Sequence, residues 1–282
     1  MYCKKINQRL AELLPDPSSP LFSAASYSLL SEGKRLRSSL VIATAITLGA
    51  DLDISLDPAC AIEMIHTYSL IHDDLPCMDN DNVRRGKPTL HKIVPEGMAL
   101  LTGDYFLTFA FELIAHIPTL DPGQRLRLIQ ILSFFSGLSG MIGGQALDLT
   151  VSGHQISEET LLSMHEKKTG ALFVASLQFG AVIARSNTPM FLFLENLGNK
   201  MGLAFQFLDD LLDAESQDAP LQKPSATHFY GKEGVKEQLE RFKILINNLL
   251  RELPQGAPLI VDLLEKNLWS RLPVEKMNSC IL

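Results

Sequence analysis

Two clusters of aspartates are the groups in this sequence whose residue type and spacing best suit chemistry. The first, in "IHDDLPCMDNDNVRRGKP" (71–88), gathers four carboxylates within nine positions: Asp73, Asp74, Asp79 and Asp81. Like charges at this spacing repel one another, so they need a bound cation or basic partners. Pro76 interrupts the stretch and prevents a straight helix from carrying all of it. We therefore expect a helix to end near Asp74 and a turn to bring Asp79 back beside Asp73.

The second cluster, "FQFLDDLLDAE" (205–215), lies in a segment with a helical pattern. Asp209 and Asp213 are four residues apart, so they project from one helical face, and Asp210 is adjacent. A simple alternative is the solvated face of an amphipathic helix. Against it, aspartate is a poor helix former, and no lysine or arginine stands four residues away. We expect these carboxylates to bind a ligand.

Basic residues accompany the acidic clusters: Lys34, Arg35 and Arg37 precede them, and Arg84 and Arg85 follow the first one directly. Mg²⁺ takes carboxylate oxygens together with substrate phosphates, and arginine and lysine bind phosphate oxygens through charge-assisted hydrogen bonds. A metal-bound diphosphate is a good leaving group because its charge is neutralised. The pattern therefore predicts heterolysis of a carbon–oxygen bond with diphosphate leaving. No histidine pair has zinc-ligand spacing beside these acids, so a catalytic zinc is not expected.

Composition and length narrow the class further. The net charge of the 282 residues is −7, which disfavours nucleic acid as a partner. The longest strongly apolar run, 40–50, is shorter than the about 18 residues that span a bilayer, so no membrane span is expected. Four scattered cysteines without a C-x-x-C pair predict reduced thiols and a cytoplasmic location. No linker or repeat divides the chain, so we expect one domain over residues 1–282.

Helical periodicity dominates the chain and hairpin signals are scarce, so the predicted fold class is all-α, a single large helical bundle. The segment 170–184 is apolar nearly all round and is expected at the centre of the bundle. Proline- and glycine-containing breakers separate ten predicted helices: 4–14, 19–31, 36–50, 57–74, 96–116, 123–151, 157–185, 189–214, 227–252 and 256–269.

Taken together, five motifs resemble those of the trans-isoprenyl diphosphate synthases, the polyprenyl synthetase family: "EGKRLRSSL", "IHTYSLIHDDLPCMDNDNVRRGKPTLHK", "GGQALDL", "HEKKTGAL" and "FQFLDDLLD". They occur in the family's order over about residues 30 to 215, and they are most similar to bacterial farnesyl and plant-type geranylgeranyl diphosphate synthases. The resemblance implies an all-α homodimer of the isoprenoid synthase type with a central active-site cavity. It also implies condensation of isopentenyl diphosphate with an allylic diphosphate such as dimethylallyl or geranyl diphosphate.

The resemblance assigns a role to each matching residue. About three Mg²⁺ ions would bind the allylic diphosphate through the first motif, Asp73, Asp74 and Asp79, and the second motif, Asp209, Asp210 and Asp213. Arg84 and Lys168 would contact the allylic diphosphate, and Thr169 and Gln206 would face the reacting carbocation. The isopentenyl diphosphate would be bound by Lys34, Arg37, His66 and Arg85. Taken alone, His66 on an apolar helix would more often be a core histidine, and Lys168 could equally be a surface charge.

Product length is expected to depend on residues one helical turn before the first motif. Tyr68 and Ser69 stand five and four positions before Asp73. In the family, an aromatic residue at the fifth position, with two extra residues in the motif, resembles the bacterial farnesyl type. The expected product is therefore farnesyl diphosphate (C15), and the alternative is geranylgeranyl diphosphate (C20). Tyr68 as an ordinary core residue remains the simpler alternative.

One segment departs from the family pattern. After the second motif the chain reads "AESQDAPLQKPSATHFYG", which is shorter than usual, and Lys223 is matched only loosely to a diphosphate-binding lysine. A non-catalytic subunit of a prenyl synthase is therefore one alternative. A metal phosphohydrolase of the HD type is another, because "HDD" occurs at 72–74, but the necessary additional histidines are missing. A terpene cyclase would have no use for two basic clusters.

Overall fold

The computed structural model describes residues 2–14, 18–151, 154–215 and 224–273. Within these ranges the chain is almost entirely helical, which confirms the predicted all-α class. The helices are α1 Tyr2–Glu12, α2 Pro20–Leu29, α3 Leu36–Thr47, α4 Leu56–Asp73, α5 Glu96–Ala115, α6 Pro122–Ser136, α7 Met141–Val151, α8 Glu158–His165, α9 Ala171–Ile183, α10 Thr188–Glu215, α11 Ala226–Glu252 and α12 Pro258–Asn267.

Helix α9 lies at the centre of the bundle, as its uniformly apolar sequence predicts. All 13 of its residues are buried. One side, including Leu172 and Phe179, joins an apolar core with α1, α2, α4, α5 and α6. The other side, including Phe173 and Leu177, joins a second core with α3, α10, α11 and α12. The two cores therefore meet at α9, and the helices that carry the aspartate clusters, α4 and α10, belong to different cores.

Eight of the ten predicted helices have boundaries within three residues of those observed. The single helix predicted over 123–151 is wrong, because α6 ends at Ser136 and α7 begins only at Met141. Gly137 adopts an extended conformation (φ −83°, ψ −152°) at this break, where glycine opposes helix continuation. The helix predicted over 157–185 is divided into α8, a π-helical turn over Glu166–Gly170, and α9.

A two-stranded hairpin, which the sequence analysis did not predict, follows the first aspartate cluster. Its antiparallel strands are β1 Val83–Arg84 and β2 Lys87–Pro88. The two-residue turn between them has positive φ at both positions, 53° at Arg85 and 74° at Gly86. Two-residue hairpin turns of this kind favour glycine because it adopts positive φ without steric cost. The turn directs the two adjacent arginines to different partners.

Two stretches in the described ranges, α5 and Pro122–Val151, are long and apolar enough to cross a bilayer by length and composition alone. Both also pack into the bundle: Phe106 and Ala110 of α5, and Leu128 and Leu132 of α6, belong to the first apolar core. Core helices of soluble proteins commonly share this length and composition, so the two stretches are weak evidence for a membrane span.

Candidate active site

A cavity of about 1260 Å³ lies between the two cores. Helices α3, α4, α7 and α10, the π-helical turn and the 83–88 hairpin all contribute to its wall. It brings together thirteen of the residues that the sequence singled out: Lys34, Arg35, Arg37, His66, Tyr68, Ser69, Asp73, Arg84, Arg85, Lys168, Thr169, Gln206 and Asp209. The other four predicted metal ligands within the described ranges do not line it: Asp74, Asp79, Asp210 and Asp213.

The first aspartate cluster adopts the predicted helix end and turn. Helix α4 ends at Asp73, and the Asp79 backbone N–H donates to the Asp73 carbonyl at 2.9 Å. This bond returns Asp79 to the end of the helix. Asp73 lines the cavity, whereas Asp74 is only 4% exposed and accepts a hydrogen bond from Arg84 Nε at 2.7 Å. The adjacent carboxylates therefore have different partners.

The charge at Asp73 lacks a full counter-ion. Burial raises the pKa of Asp73 to about 6; Lys168 opposes this rise, and the Asp79 and Asp74 carboxylates add to it. Such a carboxylate gains from a bound cation. Within the described residues, no three or more His, Cys, Asp or Glu side chains are grouped closely enough to hold a metal ion by themselves. The carboxylate oxygens present fit Mg²⁺ that completes its coordination with phosphate oxygens.

The second aspartate cluster faces the same cavity through Asp209. Its carboxylate accepts from Arg271 Nη2 at 2.9 Å, and Arg271 also lines the cavity. Burial raises the pKa of Asp209 despite Arg271, which opposes the rise. Asp213 lies on the exposed side of the helix. Partial burial of its carboxylate still raises its pKa, and the neighbouring Asp210 charge raises it further. Asp210 is buried, and its carboxylate contacts other protein groups.

The π-helical turn positions two of the predicted catalytic residues. π-Helical turns within longer helices are frequent at functional sites. Gly144 and Gly202 press against the turn from α7 and α10: an added Cβ would lie 2.2 Å from Lys168 N and 2.3 Å from Gly170 Cα, respectively. Neither position has room for a side chain. The turn directs Lys168 and Thr169 to the cavity wall.

Both residues of the turn have defined polar partners. Lys168 Nζ pairs with Asp148 Oδ2 at 2.6 Å, which links Asp148 directly to the site. Thr169 Oγ1 donates to Gln206 Oε1 at 2.7 Å. The lysine therefore reaches the cavity already oriented by a carboxylate, and the threonine is linked to α10.

A group of cations surrounds His66. The Arg37 guanidinium lies over the Phe173 ring at 4.9 Å, and burial lowers the pKa of Arg37 to about 10. Burial lowers the pKa of His66 well below its usual value, and the neighbouring charges of Arg37 and Arg85 lower it further. His66 is therefore neutral, and this part of the cavity holds an excess of positive charge that suits an anion.

Arg35 does not take the expected role of binding phosphate, because its side chain is 1% exposed and its nitrogens are already used. Nη1 pairs with Glu63 at 2.8 Å, Nε donates to Asn7 at 2.8 Å, and Nη2 donates to the Leu29 carbonyl at 2.7 Å. Arg35 thus ties the start of α3 to α1 and α4. This places its neighbours Lys34 and Arg37 at the cavity.

The hairpin turn separates Arg84 from Arg85. Arg84 Nη2 lies 2.6 Å from Asp74 Oδ1 and 3.3 Å from Asp81 Oδ2, within the acidic cluster. Arg85 Nη1 instead donates to the Glu32 carbonyl at 3.3 Å, beside the loop that carries Lys34. Arg84 therefore lies beside the aspartates of the cavity, and Arg85 lies beside its cationic part.

Apolar residues form another part of the wall, among them Leu107, Met141, Ile142, Leu149 and Leu172. Tyr68 faces the cavity with 4% of its surface exposed, and its hydroxyl has no hydrogen-bond partner among the described residues. Its ring packs edge-on to His72 at 5.6 Å. The Ser69 hydroxyl donates to the His66 carbonyl at 2.9 Å. A bulky ring therefore stands where the apolar part of the cavity meets α4.

Two residues of the site were missed by the sequence analysis. Arg271 stands in the short 3₁₀ turn Trp269–Arg271, in no recognisable motif, so nothing in the sequence indicated its contact with Asp209. Glu63 is buried in α4. The only sign of its role in the sequence was a charged residue within an apolar helical pattern. Lys223 lies outside the described residues and stays a prediction.

Comparison with known proteins identifies relatives over most of the chain. The family model for polyprenyl synthetases matches residues 19–229. A farnesyl diphosphate synthase from Geobacillus stearothermophilus is 45% identical over 218 residues, which cover 77% of this chain and 73% of the relative. Geranylgeranyl pyrophosphate synthase 7 from Arabidopsis thaliana is 39% identical over 228 residues, covering 80% of this chain and 64% of the relative.

A solved structure extends the similarity to nearly the whole chain. The Helicobacter pylori geranyltransferase, complexed with magnesium and isoprenyl diphosphate, superimposes with a TM-score of 0.83 at 34% identity, covering 95% of this chain and 96% of that chain. The family match, the identities and the shared fold lead to one conclusion. The chain belongs to the polyprenyl synthetase family.

Proposed function

We propose that this chain is a short-chain trans-prenyltransferase that condenses isopentenyl diphosphate with dimethylallyl and geranyl diphosphates to give farnesyl diphosphate. The observation that carries this function is one cavity with two different sets of anion-binding groups. Asp73 and Asp209 suit a metal-bound diphosphate, whereas Arg37 and Arg85 around neutral His66 suit a diphosphate bound directly by cations. A cyclase or a phosphohydrolase acting on one diphosphate needs only one set.

The residues of the chain divide the work of the reaction. Lys168 and Arg84 hold the allylic diphosphate, and Arg85, Arg37 and Lys34 hold the isopentenyl diphosphate. When bound, about three Mg²⁺ ions neutralise the charge of the departing diphosphate. The allylic carbon–oxygen bond breaks with its electron pair leaving on the diphosphate, the isopentenyl double bond adds to the cation, and loss of a proton to the released diphosphate restores an alkene. Thr169 faces the cation with its hydroxyl oxygen, stabilising the positive charge.

Tyr68 supports a C15 product. Its ring lies at the cavity wall one turn before Asp73, where it would block further growth of an apolar chain. Both farnesyl and geranylgeranyl synthases are among the relatives, so the relatives do not distinguish the two product lengths. The Tyr68 ring at the cavity wall favours the shorter product.

An exposed apolar stripe supports a homodimer. Phe134 on α6, Leu138 in the turn that follows it and Ile142 at the start of α7 are all exposed, Leu138 to 83%. Leu101 on the neighbouring helix α5 is also exposed. Exposed apolar residues that form a contiguous surface mark interaction sites. A second copy of this chain would bury the stripe.

The purified chain alone should elongate a prenyl substrate. With Mg²⁺, geranyl diphosphate and labelled isopentenyl diphosphate, chromatography of the dephosphorylated products should show mainly C15. Chelation with EDTA should abolish product, because the leaving group loses its charge neutralisation. Release of diphosphate without elongation, or activity only after addition of another subunit, would contradict the proposal.

The basic pair should separate the two substrates. Arg85→Ala should raise the KM for isopentenyl diphosphate about 10- to 100-fold, the value of one or two charge-assisted hydrogen bonds. Arg84→Ala should act mainly on the allylic substrate. Steady-state kinetics with each substrate varied in turn measures both effects. Arg251→Ala, on the exposed end of α11, is the control. Equal effects on both substrates would show that this division is wrong.

Removing the Tyr68 ring should lengthen the product. Tyr68→Ala opens the apolar wall, so the product mixture should shift from C15 to C20 or beyond. Tyr105→Ala is the matched control, since Tyr105 stacks on Phe109 and does not line the cavity. Mainly C20 product from the unmodified protein, or an unchanged product from the variant, would show that Tyr68 does not limit the product length.

Charge in the apolar stripe should prevent dimer formation. Phe134→Lys with Leu138→Lys should halve the mass measured by light scattering after size-exclusion chromatography, because two buried charges per subunit would oppose association. Ile244→Lys, at an exposed apolar position on α11, should leave the mass of the protein unchanged. A monomeric unmodified protein, or a dimeric double variant, would contradict this interface.

A further inference from the structure

Both oxygens of the Asp210 carboxylate are already engaged by the protein. Oδ1 accepts from Gln206 Nε2 at 2.8 Å, and Oδ2 accepts from the Ala226 backbone N–H at 2.6 Å. His165 Nε2 lies 3.3 Å from Oδ2. Only 8% of Asp210 is exposed, and it does not line the cavity that its neighbour Asp209 lines. These contacts differ from those of a carboxylate open to a metal-bound substrate.

One of these contacts caps a helix. Ala226 is the first residue of α11, and the preceding Ser225 makes no side-chain capping bond. The first N–H groups of a helix lack partners within the helix, so a carboxylate from elsewhere satisfies one of them here. Moving Asp210 toward a metal ion would break this bond. The aspartate therefore belongs to the scaffold between α10 and α11.

The other contact fixes the direction of a chain of hydrogen bonds. A carboxylate only accepts hydrogen bonds, so the Gln206 amide must turn its NH₂ toward Asp210 and its Oε1 away from it. Oε1 then accepts from the Thr169 hydroxyl at 2.7 Å. A hydroxyl has one proton. Because Thr169 donates that proton to Gln206, its oxygen can present only lone pairs to the cavity.

We propose that Asp210 is a positioning residue that sets this direction, rather than a ligand of Mg²⁺. Through Gln206 it keeps the Thr169 oxygen as an acceptor facing the cavity, where positive charge develops on the allylic carbon. A hydroxyl proton pointing at that carbon would oppose the charge instead. The inference rests on the proposed function, since it needs a carbocation in the cavity. Within the second motif, Asp209 would then bind the metal ion and Asp210 would orient Gln206.

Asp210→Asn tests the direction of the hydrogen bonds between residue 210, Gln206 and Thr169, because asparagine has almost the same shape as aspartate. The new amide carbonyl can still accept from Ala226, while its NH₂ now faces Gln206. Gln206 must then turn its Oε1 toward residue 210 and its NH₂ toward Thr169, so Thr169 becomes the acceptor and its proton is free. We expect kcat to fall about 10- to 100-fold. The KM values and the Mg²⁺ concentration for half-maximal rate should stay within about twofold.

A second substitution should restore the original direction of the hydrogen bond, from the Thr169 hydroxyl to residue 206. In the double variant Asp210→Asn/Gln206→Glu, the new carboxylate at position 206 accepts from both of its neighbours, the amide NH₂ at position 210 and the Thr169 hydroxyl. Thr169 again donates, and the net charge is unchanged. We expect kcat to recover to within about threefold of the unmodified protein. A purely structural defect at position 210 would not be repaired by this exchange.

A binding measurement separates positioning from metal ligation without relying on turnover. Mg²⁺-dependent binding of geranyl thiodiphosphate, a poorly ionising analogue, is followed by calorimetry. Asp210→Asn should bind it like the unmodified protein, whereas Asp209→Asn should lose much of the Mg²⁺ dependence. Weakened binding in Asp210→Asn to the extent seen for Asp209→Asn, or no recovery of kcat in the double variant, would overturn the proposal.

The outcome stays clear if Asp210→Asn fails to fold, which thermal unfolding would show. Thr169→Val removes the hydroxyl without touching the cap of α11, and it should lower kcat at an unchanged Mg²⁺ requirement. An unchanged kcat in Thr169→Val would overturn the positioning role. Absence of any elongation by the unmodified protein would instead refute the proposed function, so the two failures are distinguishable.

Discussion

Unbalanced charge held inside one cavity is the constraint on which the rest of the structure depends. Asp73 and Asp209 keep carboxylates with raised pKa on one part of the wall, and Arg37 with neutral His66 keeps excess positive charge on another. Such groups cost free energy when they are desolvated, and Arg271 does not remove this cost at Asp209, whose pKa stays raised. A rigid apolar bundle around α9 supplies the stability that tolerates this cost, and two diphosphates with their metal ions would relieve it.

Ion pairs around the cavity control which charges remain available. Glu63 holds Arg35, Asp148 holds Lys168, and Asp74 holds Arg84, each at 2.8 Å or less. Only the first of these pairs is fully buried, and it serves the scaffold. The other two leave a cation at the cavity wall with its orientation fixed. A lysine or arginine that is already oriented loses less conformational entropy when a phosphate arrives.

The sequence predicted the fold well where the physics is local. Helical periodicity located α4 and α10, and Pro76 correctly indicated the turn after Asp73. Breaks inside continuous apolar patterns were missed, since the π-helical turn at Glu166–Gly170 depends on close packing against glycines from distant helices. Arg35 was misassigned because its partner Glu63 is 28 residues away, and local spacing carries no information about such a pair.

Each adjacent aspartate pair divides in the same way, and the geometry of the helix explains why. Neighbouring residues on an α-helix point about 100° apart, so two consecutive carboxylates readily take different partners. In the first pair Asp73 faces the cavity and Asp74 holds Arg84; in the second Asp209 faces the cavity and Asp210 holds Gln206 and the start of α11. In both motifs of this chain, a carboxylate at the cavity wall therefore stands beside one that is bonded to neighbouring protein groups.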